Sequence, residues 1–444
     1  MPQDSERIAN FLKDYFADRK QAEPFIPGQT PVPVSGKVVS QLDMQCMIEA
    51  VLDGHWTEGR FAKEFEQKLA EFIRVRFCSI VNSGSSANLL ALTALTSFRI
   101  PEERRLNRGD EVITVAAGFP TTINPIIQNG LVPVFVDVEL GTYNASLASI
   151  AEAVSRRTKA VFLAHTLGNP LEAQALRTFC DERGLWLVED NCDALGTKHL
   201  GAITGAFGHL STCSFYPAHH ITMGEGGAVL TDDPLLHKIV RSLRDWGRDC
   251  SCATGADNVC GKRFTQQHGD LPYGYDHKYV YSELGYNMKV TDMQAALGVA
   301  QLERLPAFIR KRRENFSYLH TLFRDLYDAF IFPEWSMHSQ PSWFGYPLTI
   351  RDTTGFTRGE LLKFLESKKI GTRLLFAGNV TNQPYFKNYD FRWRSVGKTE
   401  GRHIVLPNTD TVMNNTFWIG VYPGLTLEML AYVGKSFKEF LASR

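Results

Sequence analysis

Ser214-Phe215-Tyr216-Pro217-Ala218-His219-His220-Ile221-Thr222-Met223-Gly224-Glu225-Gly226-Gly227 is the stretch that decides how this chain reads. It holds two adjacent histidines and ends in a glycine-rich turn, and no lysine occurs between Lys198 and Lys238. A histidine can move a proton but cannot form an imine with a carbonyl compound. Upstream, Leu187-Val188-Glu189-Asp190 is an apolar run ending in two acids. Further upstream, Asn82-Ser83-Gly84-Ser85-Ser86-Ala87 opens a helical pattern through Leu89, Leu90, Leu92 and Leu95. Small residues at a helix N-terminus leave backbone N–H groups free to hold a phosphate, although such turns also simply cap helices. Glu111–Val115, Val132–Val138, Ala160–Ala164 and Leu185–Val188 read as buried strands, with helical segments such as Leu176–Glu182 between them. This alternation predicts an α/β domain with a mostly parallel sheet. Ser83, Asp190 and Ser214 then fall at strand ends or turns, where ligands bind in open α/β sheets.

In this register the chain resembles the nucleotide-sugar aminotransferases of the DegT/DnrJ/EryC/StrS type, from about Trp56 to the C-terminus. Their pyridoxal-phosphate (PLP) segment reads roughly S-F-x-x-x-K-x-x-x-x-G-E-G-G. Its lysine holds the cofactor as a Schiff base, and His219 stands in its place. The resemblance implies an aspartate-aminotransferase-like, fold type I architecture. An N-terminal helix and arm (1–55) precede a large cofactor-binding domain (56–310) and a smaller C-terminal α/β domain (311–444). It further implies Asp190 at the pyridine nitrogen, Phe119 stacked on the ring, and Gly84, Ser85, Ser86 and Ser214 at the phosphate. Asn287 is expected to reach the phosphate of the other subunit of a homodimer. Asp193 stands where the family usually has glutamine, and Tyr216 lies three residues before the base. Both departures fall at the pocket, and both are candidates for holding the cofactor. His220 matches a variable family position and reads as a packed or solvated side chain.

The cysteines give a second signal. Of eight, Cys192, Cys250, Cys252 and Cys260 read C-x57-C-x-C-x7-C, the last three in a polar loop of small residues. Four thiolates suit a [2Fe–2S] cluster, though the spacing is not the plant-ferredoxin one. A structural zinc or inert buried thiols are the other readings, and C-x-C is tighter than usual zinc spacing. Cys192 follows Asp190 by two residues, so their Cα atoms lie within roughly 7 Å at about 3.3 Å per extended residue. A cluster ligated there would sit beside the cofactor pocket. Cys46, Cys78, Cys180 and Cys213 stand outside the spaced set and read as apolar fillers.

Histidine for lysine together with this cysteine spacing resembles the 3-dehydratase branch of the family. That resemblance implies pyridoxamine 5′-phosphate (PMP) as working cofactor, a [2Fe–2S] cluster, and an NAD(P)H-dependent iron–sulfur flavoprotein reductase as partner. The implied substrate is a CDP-4-keto-6-deoxyhexose, namely CDP-4-dehydro-6-deoxyglucose. The implied process is C-3 dehydration and deoxygenation toward 3,6-dideoxyhexoses of lipopolysaccharide O-antigen, with His219 as catalytic base. Two alternatives stay open. A cluster-free PMP-dependent 3-dehydratase would share the histidine without needing the thiols. A catalytically silent aminotransferase paralogue would have lost the lysine alone.

Bulk properties set outer limits. Forty-eight basic and 48 acidic residues balance to a formal charge of zero, which argues against a general nucleic-acid-binding role. The N-terminal residues lack a signal-peptide pattern, and no uncharged stretch reaches the ~18 apolar residues of a membrane span. A cytoplasmic location is expected, since thiols stay reduced there. An amphipathic stretch, Ile8-Leu12-Tyr15-Phe16, precedes a Pro-rich arm from Pro24 to Pro33. A long helix is expected from Thr291 to about Tyr327, then a strand near Phe344–Ile350 and a closing helix near Thr426–Leu441. No motif reveals the nucleotide. Arg60, Arg373, Arg402 and His403 could neutralise a diphosphate, but scattered charges of this kind usually serve the surface or ion pairs.

Overall fold

The computed structural model describes residues 2–18, 24–250, 252, 256–396, 399–400 and 403–444. Seven strands build the central sheet: β1 (Phe77–Val81), β2 (Glu111–Val115), β3 (Val132–Val136), β4 (Thr158–Ala164), β5 (Trp186–Asp190), β6 (Leu210–Ser214) and β7 (Gly227–Thr231). Their order is β1-β7-β6-β5-β4-β2-β3, and Arg394–Ser395 adds an eighth strand at the outer edge of β3. Only β7 runs against its neighbours; every other pair is parallel.

The strands are apolar throughout because both faces are covered, as a parallel sheet requires. Alternate residues partition between two cores with the period-two geometry of a strand. Val161, Leu163 and Leu187 pack into one. Ala160, Phe162, Trp186 and Val188 pack into the other, against Leu90 and Ala91 of helix α1 (Gly84–Ala94). Helix α2 (Pro120–Gln128) starts with proline at its first position, where a missing N–H costs nothing.

Helix α3 (Asp292–Phe323) begins with a capping box between Thr291 and Gln294 and continues in a short 3-10 turn to Leu326. It leads to an antiparallel sheet ordered Phe330–Ile331, Gly345–Ile350, Thr416–Gly420, Thr372–Leu374. Helices Arg358–Ser367 and Leu427–Ala442 cover it, the second capped by Thr426. The N-terminal arm docks on this sheet through a bridge between Val32 and Ile370. Chain beyond residue 311 thus serves both sheets, through Arg394–Ser395 on the large one. No helix among the described residues is long and apolar enough to cross a membrane.

Candidate active site

The carboxyl ends of β1, β5 and β6 meet at one place. Ser83 caps α1, its Oγ accepting from the Ser86 amide at 3.0 Å, so N–H groups of the first helical turn are left without intrahelical partners. Two glycines let the backbones close in. A Cβ on Gly84 would stand 2.4 Å from the Ser214 Cβ, and one on Gly227 would stand 2.3 Å from the Ser83 carbonyl oxygen. The result is a cup of free amides and the Ser214 hydroxyl at a positive helix end, with the chemistry of a phosphate cradle. Ser85 is exposed at its rim and Ser86 partly so.

Asp190 ends β5 and is buried. Its Oδ2 accepts from Asn88 Nδ2 at 2.8 Å and from Thr122 Oγ1 at 2.7 Å, while Oδ1 accepts from the Cys192 amide at 3.2 Å. Thr212 Oγ1 in turn donates to Asn88 Oδ1 at 2.6 Å. Three donors therefore hold one carboxylate as an acceptor, and Thr212 fixes the Asn88 amide behind them. Asn88, Thr122 and Thr212 were not singled out in the sequence. The available signal was a polar residue on the otherwise apolar face Ala87-Leu90-Ala91 of α1.

His219 lies in the turn after β6, its amide donating to the Tyr216 carbonyl at 2.9 Å. Its Nδ1 has no hydrogen-bond partner among the described residues and stands 3.6 Å from the Asp193 carboxyl. Burial pushes the imidazole down to about 4; the nearby Asp190 charge opposes this and Arg312 reinforces it. Burial, with the negative charge of Asp190, pushes Asp193 up to about 8. At neutral pH both groups are therefore mainly uncharged, and the contact between them is not an ion pair. Arg312 on α3 is fully buried; it donates to the carbonyls of Trp343 (3.2 Å), Phe344 (3.3 Å) and His219 (3.1 Å). It clamps the turn that carries His219 against Trp343 and Phe344. In sequence it is hidden in the run Arg310-Lys311-Arg312-Arg313.

His220 is packed, its Nε2–H donating to the Ser342 carbonyl at 2.7 Å, and burial holds it neutral. Phe119 and Tyr216 leave about half their surface open, 51% and 52%. Phe119 meets Phe376 edge-on at 5.8 Å. Asn287 is exposed beside the Met288 carbonyl, which accepts from the Asn82 amide at 2.8 Å. Arg60 pairs with Asp53 at 2.6 Å, and exposed Arg373 donates to its own neighbour Thr372. Arg402 and the side chain of His403 lie outside the described residues.

The cysteine set divides. Cys250, Cys252 and Cys260 line one pocket together with Asp257 and His277, whereas Cys192 is not part of that lining. Cys192 instead neighbours Asp190 and Cys213, and burial raises its thiol well above the ordinary range. Among the described residues no three of His, Cys, Asp and Glu stand close enough to hold a metal ion. Among the described residues the four cysteines do not form one metal-binding group. Cys78, Cys180 and Cys213 are buried fillers, as expected, and Cys46 is partly buried.

The DegT/DnrJ/EryC1/StrS aminotransferase family model matches residues 39–438, and the chain belongs to that family. It is 56% identical over 435 residues to the lipopolysaccharide biosynthesis protein RfbH of Salmonella typhimurium, covering 98% of this chain and 97% of that one. It is 51% identical over 443 residues to dTDP-4-dehydro-2,6-dideoxy-D-glucose 3-dehydratase of Saccharopolyspora spinosa, covering 100% and 93%. Among solved structures, the Escherichia coli GDP-4-keto-6-deoxy-D-mannose-3-dehydratase with bound hydrated PLP superposes with a TM-score of 0.80. That pair shares 27% identity, covering 91% of this chain and 98% of the other. The fold is the fold type I architecture of PLP enzymes, with a large mixed α/β domain and a smaller C-terminal one.

Proposed function

We propose that this chain is a PMP-dependent dehydratase that removes the C-3 hydroxyl of a CDP-linked 4-keto-6-deoxyhexose in lipopolysaccharide dideoxyhexose formation. The observation that carries it is His219, a largely enclosed, neutral imidazole in the position where family members anchor PLP by lysine. The residues present fit the cofactor, since Gly84 and Gly227, lacking a Cβ, let the start of α1 close against Ser214 and set its hydroxyl beside the helix N-terminus. When bound, PMP supplies an amine that condenses with a ketone and a ring that delocalises negative charge.

The chain's own groups do the rest. First-turn amides of α1 with Ser85, Ser86 and Ser214 hold the phosphate, and Phe119 stacks on the ring. Asp190, fixed by Asn88 and Thr122, accepts from the pyridinium N–H and keeps the ring protonated. Without an anchoring amine the cofactor is held noncovalently, so its amine stays free. His219 takes a proton from the cofactor's methylene carbon, for which neutral imidazole is the competent form. Tyr216 and Asp193 border the same pocket and complete the cofactor's surroundings. Asn287 reaches the phosphate of a partner subunit in a homodimer.

Going from dehydration to deoxygenation takes two electrons, whose supply we assign to a separate NAD(P)H-dependent reductase. The assignment of Cys192, Cys250, Cys252 and Cys260 as [2Fe–2S] ligands is part of this proposal. Protein purified without oxygen tests it by iron and sulfide assay. The dehydration is tested with CDP-4-dehydro-6-deoxyglucose and PMP. Loss of C-3 oxygen supports it, and transfer of an amine to C-4 overturns it.

A further inference from the structure

The loop that carries three cysteines is anchored away from the fourth. Asp249, the residue before Cys250, pairs with Arg99 and accepts from Ser282 Oγ at 2.5 Å. Glu283 accepts from Ser97 Oγ at 2.5 Å. Bridges between Asp245 and Asn287 and between Arg248 and Tyr281 close the stem of the loop. Ser97 and Arg99 follow the C-terminus of α1. Asn88, in the first half of the same helix, holds Asp190, which accepts from the Cys192 amide. From Asn88 to Ala94 the helix rises ~9 Å at about 1.5 Å per residue, and Ser97 lies beyond that. Cys192 is thus tied through Asp190 to the middle of α1, and Cys250 through Asp249 to the segment that follows the helix. Four thiolates must converge to share a cluster, and Cys192 is absent from the pocket that Cys250, Cys252 and Cys260 line together.

The loop also presents apolar surface. Leu284, Val259 and Tyr273 are 95%, 74% and 73% exposed, and Phe264, Tyr279 and Tyr281 are exposed as well. Concentrated exposed apolar side chains mark an interaction surface. The occupant has to cover them, draw Cys250, Cys252 and Cys260 together in the pocket they line, and bring one more thiol to it. A second copy of this chain does both through Cys192, the partly exposed cysteine beside Asp190. An unrelated protein would leave Cys192 without a partner thiol and the metal away from the pocket.

We propose that the three-cysteine pocket of one chain is completed by Cys192 of the partner subunit, so that each [2Fe–2S] centre bridges two copies. The inference rests on reading the four cysteines as cluster ligands. Two-fold symmetry makes it reciprocal: each chain gives three thiolates to one centre and one to the other, as an isologous contact requires.

The test is complementation. Cys192→Ala and Cys260→Ala chains carrying different tags are co-expressed, and dimers holding both tags are isolated without oxygen. Iron, sulfide and the visible spectrum are measured, with circular dichroism and PMP binding reporting that the variants fold. Each single-variant dimer is expected to hold no cluster. The mixed dimer is expected to regain one, half the wild-type iron, because one centre then has all four thiolates. Wild type with full iron and a mixed dimer with none would overturn the bridging arrangement, as would an iron-loaded wild-type monomer. Wild type without iron would instead overturn the cluster reading beneath it. Should either alanine variant fail to fold, the pair Cys192→Ser and Cys252→Ser gives the same discrimination.

Discussion

Two regions of this molecule, the surroundings of Asp190 and the cysteine loop, are built in opposite ways. Around Asp190 the polar groups come from regular elements: Asn88 from α1, Thr122 from α2, Thr212 from β6. Each is buried and hydrogen-bonded, so the pocket's shape is set by the sheet. The cysteine loop has one 3-10 turn, His277–Tyr279, as its only regular element among the described residues, and its aromatic side chains face outward. The hydrogen bonds that fix Asp190 all lie within one chain, whereas in our proposal the loop takes its fourth thiol from a partner. Substitutions in the pocket should therefore cost chemistry, and substitutions in the loop should cost metal.

The largest effect is expected at the base. His219→Asn keeps the size of the side chain but removes its basicity, and dehydration should fall roughly 10²–10⁴-fold, measured as release of labelled C-3 oxygen. PMP binding should persist, because the phosphate cup is untouched. Next comes Asp190→Asn, which exchanges a charge-assisted contact for a neutral one. That costs about 1.5–3 kcal/mol, or roughly 10- to 150-fold in cofactor affinity by titration. Thr122→Val removes one of the two Oδ2 donors. About 0.5–1.5 kcal/mol is at stake, so PMP affinity should weaken roughly 2- to 12-fold.

A smaller effect follows from pH. The neutral imidazole is the active base, and burial places its loss near pH 4 rather than near the ordinary 6.5. Between pH 7.5 and 5.5 the rate of label release should change little through His219, falling only as pH drops toward 4. A half-maximal point near 6.5 that His219→Asn abolishes would show an imidazole far more exposed than this one. The smallest effect on dehydration is expected from the loop. Cys260→Ala should lose iron yet release label as wild type does. Loss of label release in that variant would join the two regions that this account keeps apart.

Much of the pocket was legible because its chemistry lies in local patterns. β2 matches its expected span, and β5 ends at Asp190 as the apolar run before two acids indicated. His219 and His220 were told apart by register, and the structure packs His220 against Ser342. What sequence left hidden depends on contacts distant along the chain. Asn88 and Thr122 acquire meaning only when Asp190 folds between them, and Arg312 looks like one charge in a basic run until burial turns it inward. The strand at Arg394–Ser395 is too short for any periodicity to announce it. The cysteine spacing marks out four thiols, but spacing carries no information on where they meet, and the structure gathers only Cys250, Cys252 and Cys260 at one pocket.

The most direct test of the central claim is the fate of the C-3 oxygen. CDP-4-dehydro-6-deoxyglucose labelled with heavy oxygen at C-3 is incubated with the protein and PMP, with no electron donor, and the sugar is analysed by mass spectrometry. The account predicts loss of the label with wild type and its retention with His219→Asn. A wild-type protein that keeps the C-3 label and places nitrogen at C-4 would contradict it.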